Sequence, residues 1–321
     1  MVAPRRVPLG RRKGSEILVN LAVVILTYNE ERNIEYAIRS VCGWAREVFV
    51  FDSFSTDRTV EIARGFPGCT VVQHPFESYG AQRNAALREL PIQAEWILFL
   101  DADEVPSGEL KSEIATRLAG NPAENGYWVK WRLMWMGTWI RRGYYPTWIL
   151  RLVRKGNARC EDRAVNEHLV VTGETGRLEH DLIHEDHNGV DRWILKHLRY
   201  ADAEARASLR RTAGEGEIAG SVFGTQAERK RWIRLHVWER LPRLVRPAVY
   251  FGYRAVLRGG FLDGRRALAF HVMQALWFQT LIDLKCIELE RADGELTDPL
   301  PAPRPVTRGP LADGRANPST P

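Results

Sequence analysis

Cysteine is scarce in this chain: of 321 residues, only Cys42, Cys69, Cys160 and Cys286 carry thiols. They lie far apart and form no CxxC pair, which argues against a zinc ribbon or a dense disulfide framework and fits a reducing, cytoplasmic compartment. Long apolar runs are missing as well. The start "MVAPRRVPLGRRKG" is basic but leads only into the short run Leu21 to Leu26, which reads as a strand and not as a signal-peptide core or a bilayer span. The least polar later stretch, Ala267 to Leu284, is interrupted by His271, Gln274, Gln279 and Asp283, so it reads as a helix packed on protein or lying at an interface. A GxGxxG turn after the first strand is absent, and so is a P-loop. Dehydrogenase and P-loop NTPase readings lose their best support with them.

What is present suits an ordinary globular protein. The hydrophobic fraction of 45% and the charged fraction of 27% are typical values. The length allows one α/β domain of about 200 to 250 residues with an appendage. The net charge of +6 is unevenly spread, with eleven Lys or Arg against three acidic residues between Glu228 and Arg266. Such a patch favours anionic partners: a phospholipid surface, a nucleic acid or a phosphorylated substrate. A solvated helix face is the plainer alternative.

Between Asn20 and Gly120 the chain alternates β-rich runs with helical periodicity. "LAVVILT", "EVFVFD", "TVVQHP" and "EWILFLD" read as strands. Ile34, Ala37, Ile38 and Val41 recur as one helix face, and Leu110, Ile114 and Leu118 do so after a cap near Ser107. Strand, helix, strand at this spacing implies right-handed crossovers and a parallel, doubly wound sheet. Ligands of such sheets bind beyond the carboxyl ends of the strands. There the sequence places "TYNEE", "DSFSTDRT" and "DADE". From Tyr127 to Gly173 aromatic and basic residues alternate, as in antiparallel strands and turns, and beyond Val190 the pattern is mainly helical. After Thr297 the chain is Pro-rich with little to bury and reads as disordered.

Asp101, Asp103 and Glu104 crowd three carboxylates at the end of a buried strand. Like charges this close need compensation, and the Asp101–Asp103 spacing suits a shared hard cation, Mg²⁺ or Mn²⁺, completed by phosphate oxygens. A solvated turn capping the next helix is the alternative. Asp52, at another strand end, suits hydrogen bonds from a ribose or base. "HDLIH" sets His180 and His184 four apart, like two ligands on a zinc helix, but Asp181 stands where a zinc hydrolase carries its Glu.

Four motifs in order, "VVILTYNEERNIEYAIRSV", "VFVFDSFSTDRTVEIA", "YGAQRNAAL" and "WILFLDADE", resemble the nucleotide-binding half of family 2 glycosyltransferases, inverting enzymes of the GT-A fold. A looser likeness through "RLVRKG", "AVNEHLVVTG" and "FLDGRRA" points to bacterial members that build lipopolysaccharide core or exopolysaccharide. The resemblance implies a Rossmann-like mixed sheet flanked by helices, with a helical C-terminal extension. It divides the chain into a basic tail (1–19), a GT-A domain (20–190, with a nucleotide-sugar half 20–120 and an acceptor half 121–190), a basic helical region (191–296) and a Pro-rich tail (297–321).

By the same resemblance, Thr27, Tyr28, Asn29 and Glu30 line the donor pocket, Asp52 meets the base, and Arg83 and Asn84 help hold the donor. Asp101 and Asp103 hold the metal, Asp103 more directly, with His184 as a further ligand. Glu167 is the favoured base, with Asp162 second. The implied partners are a nucleoside diphosphate sugar, UDP-linked by preference, and a glycan or lipid-linked acceptor at an anionic membrane face, with no nucleic acid. Metal-dependent nucleotidyl transfer remains as an alternative, as does a basic RNA-binding protein.

Overall fold

A computed structural model describes residues 18–161, 168–210 and 238–291. Asp162, Glu167 and the two tails fall outside the described residues.

The first strands form as their composition requires. β1 (Val19–Thr27), β2 (Ala45–Asp52), β3 (Cys69–Gln73) and β4 (Trp96–Asp101) run parallel in the order β3-β2-β1-β4. Both faces of this half are covered, so the central stretches of β1, β2 and β4 are apolar and buried, while the edge strand β3 is only half-buried. Leu21, Val23 and Ile25 pack under α1 (Ile34–Val41) and α4 (Gly108–Ala119), while Ala22 and Val24 meet α3 (Tyr79–Glu89) on the other face. The face expected of α1 is the buried one: Ile34, Ala37, Ile38 and Val41 are fully enclosed. Ser107 caps α4 by accepting a hydrogen bond from the Leu110 amide at 3.1 Å. A short α2 (Thr59–Arg64) completes the parallel half.

The doubly wound pattern stops at β4. There the antiparallel strand β8 (Thr147–Arg154) is added, followed by β6 (Gly126–Trp135), β11 (Thr175–Glu185) and β5 (Glu104–Pro106), with β7 (Thr138–Trp139) paired to β6. The sheet is therefore mixed. The cause is the aromatic and basic segment, whose strands return by short connections instead of helical crossovers. β9 (Ala158–Cys160) and β10 (Leu169–Val171) form a separate small ribbon.

Beyond the sheet the described chain is helical. α5 (Val190–Arg210) leads, α6 (Arg246–Phe251) runs into a π-helical turn at Gly252–Leu257, and α7 (Arg265–His271) continues through Val272–Trp277 into α8 (Phe278–Arg291). The stretch Ala267 to Leu284 does pack on protein: Ala267 and Phe270 cluster with Leu133 and Ile140. Its Asp283 is buried against Arg246, with the Arg246 Nε 2.8 Å from Asp283 Oδ1. All four cysteines are free.

Candidate active site

Three strand ends meet at one edge. In register, Thr27 lies beside Asp52, and Leu26 beside Asp101, so the loops after β1, β2 and β4 leave the sheet together. The first two are laced to each other. Asn29 adopts a left-handed backbone (φ 55°), tolerable for Asn, and its side-chain oxygen accepts the Thr56 amide at 2.7 Å. The Asn29 amide donates to Ser55 Oγ at 2.8 Å, and the Glu30 amide to Thr59 Oγ1 at 2.7 Å.

Asp52 lies fully buried beneath this lattice. Its carboxylate accepts from the Ser55 amide (2.9 Å), from the Ser55 hydroxyl and from Gln73 Nε2 (3.0 Å). Asp52, expected to meet a base, thus braces the loop from within through these contacts. Asn84 is likewise turned inward, its amide exchanging hydrogen bonds with the backbone of Cys160 at 3.0 and 2.8 Å.

The carboxylate cluster proves to be compensated mostly from inside the protein. Asp101 is held by Arg83 (3.3 Å) and by Arg151 of β8 (2.6 Å). Arg151 also donates to Glu104 at 2.7 Å. Glu104, almost wholly enclosed, further accepts from the Asp101 amide (2.9 Å) and from Trp131 Nε1 (3.0 Å). Burial works against ionised Asp101, yet the two guanidinium groups outweigh it and hold its carboxyl below the usual carboxylate range. For Glu104 burial prevails over Arg151 and, with Asp101 nearby, lifts the carboxyl.

Asp103 differs in its partners. It sits in the turn between β4 and β5, and the Glu185 amide donates to its carbonyl at 2.9 Å, which draws the end of β11 alongside. His184 Nδ1 is then 3.3 Å from Asp103 Oδ1, with the His184 ring against Trp131 at 4.7 Å between centroids. Lys196 of α5 approaches the other oxygen, at 3.8 Å. Burial is again overcome, here by His184 and Lys196, so the Asp103 carboxyl stays far below its ordinary value. His184 is raised: burial favours the neutral ring, but the Asp103 and Glu104 carboxylates prevail. Glu30 borders the same cleft, bonded to Asn33 (2.7 Å) and Asn188 (2.8 Å), and is pushed up to about 7 by burial against the pull of Lys196.

Among the described residues no group of three His, Cys, Asp or Glu converges as a ready metal cage. Asp103 with His184 makes a two-residue donor set, one carboxylate and one imidazole. That set fits Mg²⁺ or Mn²⁺, which complete their shells with phosphate oxygens and water. Asp101, expected as a second ligand, is engaged by Arg83 and Arg151, with part of its side chain still exposed. His180 takes no part; it pairs with Glu113 at 2.8 Å, and "HDLIH" is strand, so the zinc-helix alternative falls.

Three contributors were absent from the sequence reading: Arg151, Lys196 and Arg192, whose guanidinium donates to the Asn29 carbonyl. For Arg151 the signal was a charge inside the apolar run "ILRLV". For Lys196 it was a cation sharing one helix face with Trp193, His197 and Tyr200.

Part of the chain is similar to known proteins. Residues 22–163 match the model of glycosyl transferase family 2. An uncharacterized glycosyltransferase of Rickettsia bellii is 46% identical over 101 residues, covering 31% of this chain and 33% of that protein. The chain thus spans about a third of the length of that relative. Among solved structures, mannosyltransferase PcManGT of Pyrobaculum calidifontis, in complex with GDP-Man and Mn²⁺, is 16% identical with a TM-score of 0.47, covering 90% of this chain and 92% of that one. Glucosyl-3-phosphoglycerate synthase of Mycobacterium tuberculosis is 23% identical with a TM-score of 0.31, covering 36% and 44%. Residues 22–163, which carry the motifs at the ends of β1, β2 and β4, are thus similar to glycosyl transferase family 2.

Proposed function

We propose that this protein transfers a sugar from a nucleoside diphosphate sugar, a UDP-sugar foremost, to a hydroxyl of a glycan or lipid-linked acceptor. The transfer proceeds with inversion, in the making of bacterial cell-surface polysaccharide or lipopolysaccharide. The observation that carries the reading is the Asp103–His184 pair, 3.3 Å apart at the strand edge where the β1 and β2 loops emerge, with Asp103 inside the family-matching segment and His184 brought to it by β11.

A divalent ion held by Asp103 and His184 would neutralise the departing nucleoside diphosphate. The chain's own residues do the rest. The laced loops around Asn29 and Ser55 frame the nucleoside, with Thr27, Tyr28 and Glu30 on the β1 side. Arg83 and Arg151 keep Asp101 ionised and fixed in place beside the ion. A base takes the acceptor proton, and Glu167 is preferred over Asp162. Support for that segment comes from its roots: Cys160 and Leu169 are paired in β9 and β10, and Asn84 clamps the Cys160 backbone.

The acceptor is proposed to lie at an anionic membrane surface that the C-terminal helices touch. No helix among the described residues is long and apolar enough to cross a membrane. The region of α6 and the turn after it, however, exposes Val249, Val256 and Leu257, the last 81% exposed, with Arg258 close by in sequence. Apolar side chains beside arginines suit a headgroup interface.

A melting panel of UDP-, GDP-, CMP- and dTDP-sugars, with and without Mn²⁺, tests the enzyme reading. One nucleotide should raise the melting temperature only with metal, since a ligand that prefers the folded state stabilises it. Stabilisation by none of them, or a gain indifferent to Mn²⁺, refutes it.

A further inference from the structure

Lys196 stands in the cleft with no part in the proposed chemistry. It enters from α5, outside the sheet, and its position is tightly fixed. Near its start α5 is tied to the β1 loop by Arg192 on the Asn29 carbonyl and by Asn188 on Glu30. One residue past Lys196, His197 Nε2 lies 3.1 Å from Gln274 Oε1 on the C-terminal helices. The ammonium is thereby delivered between two carboxylates, Asp103 at 3.8 Å and Glu30, with the Tyr200 ring 6.0 Å away. The Tyr200 hydroxyl meets that of Tyr79, at the start of α3, at 2.8 Å. The Lys196 side chain is two-thirds covered, so its charge is poorly screened.

A divalent ion bound by Asp103 and His184 would stand within a few ångströms of this ammonium, and cations so close in a partly dry cleft repel strongly. Both claim one carboxylate. We propose that Lys196 competes with the divalent cation for Asp103, so that the ion binds weakly by itself and firmly only when a diphosphate enters to receive the displaced ammonium. The lysine stem is long and flexible, and its three donors suit phosphate oxygens as readily as a carboxylate. Cation and diphosphate then bind with positive coupling, each raising the other's affinity by the same factor. This inference rests on the metal-and-diphosphate reading above but concerns only what Lys196 does within it.

The test is a titration of the full chain with Mn²⁺ alone, counting free ion by its electron paramagnetic resonance signal. It compares the unaltered protein with Lys196→Met, Lys196→Arg and Asp103→Asn. Lys196→Met should bind Mn²⁺ at least about tenfold more tightly, because the competing charge is gone. Lys196→Arg, which keeps the charge, should stay close to the unaltered protein, and Asp103→Asn should abolish the site. Repeating the titration with saturating UDP should show the gain conferred by UDP shrinking at least about tenfold in Lys196→Met. Should Lys196→Met not fold, Lys196→Gln serves in its place.

Mn²⁺ affinity in the folded methionine variant that is equal to or weaker than in the unaltered protein overturns the proposal. So does an equal gain in the arginine variant, or no binding to any of the proteins. If the affinities shift as expected while no nucleotide sugar is ever consumed, the glycosyltransferase reading fails and the competition stands. If sugar transfer is observed with unshifted affinities, the competition fails alone.

Discussion

Arg151 bridges Asp101 and Glu104, its Nη2 lying 2.6 Å from the first carboxylate and 2.7 Å from the second. A single guanidinium from β8 thus serves two acids, one closing β4 and one opening β5, that would otherwise repel each other. The acidic knot is chiefly an internal salt network, and the metal proposed above falls to Asp103 and His184.

Replacing Arg151 with Met should be costly, because two enclosed carboxylates lose their shared partner. Breaking buried pairs typically costs about 3–5 kcal/mol. Urea unfolding should show a loss in that range, and Arg151→Lys should recover only part of it, since an ammonium lacks the planar fork of the guanidinium. A loss under about 1 kcal/mol, the scale of an exposed pair, would show the bridge to be ornamental.

Asp103→Asn should separate catalysis from folding. Changes in the outer shell of a metal site typically cost ten- to a hundredfold, so loss of a direct ligand should lower sugar transfer by at least about a hundredfold. Mn²⁺-dependent stabilisation by the nucleotide should vanish while the far-ultraviolet dichroism is retained. Activity within a few-fold of the unaltered enzyme would remove Asp103 from the metal site.

Acid should loosen the packing of α5 on the C-terminal helices through His197. Burial, only partly offset by the Trp193 carbonyl and Gln274, holds this imidazole down at about 4. Lys196 on its own helix disfavours its protonation further, while Asp186 favours it. The unfolded chain takes up the proton near 6.5 and the native one only near 4. The contribution is therefore fully present above 6.5, shrinks as pH falls toward 4, and amounts to roughly 2 kcal/mol after allowance for partial exposure. Glu30, lifted to about 7, acts in the opposite sense across the same range. The clean measurement is the stability difference between the unaltered protein and His197→Gln in urea. It should narrow from pH 7.5 to pH 4.5, and a constant gap would contradict the assignment.

Membrane contact through the turn after α6 predicts a defect confined to binding. Val256→Asp with Leu257→Asp should abolish sedimentation with anionic vesicles at low salt and leave turnover of a soluble acceptor unchanged. Wild-type protein that ignores those vesicles would dismiss the surface.

Much of this was legible in one dimension. The buried faces of β1 and α1, the Ser107 cap and the edge shared by three polar loops all follow from local periodicity and strand polarity. That Asp103 and His184 lie together was also suggested in one dimension, through the likeness of their motifs to family 2. The partners of the acids were not. Arg151 reaches Asp101 across 50 residues of chain, and the return strand that carries it is specified by pairing along the whole sheet instead of by its own pattern. Asp52 was read as an outward acid because a strand end usually faces ligand; its inward turn depends on Gln73 of the neighbouring strand. Lys196 looked like any helix-surface cation until α5 was seen to lie over the cleft.

That placement of α5 bears on modularity. The last strand of the sheet ends at Glu185, yet Asp103 and Glu30 receive their ammonium, and Glu30 and Asn29 their amide and guanidinium clamps, from residues 188 to 196. A ribosome would deliver Glu30 and Asp103 well before Lys196. The sheet edge is therefore electrostatically incomplete without α5, and exchanging the C-terminal helices between homologues would also exchange part of its charge balance.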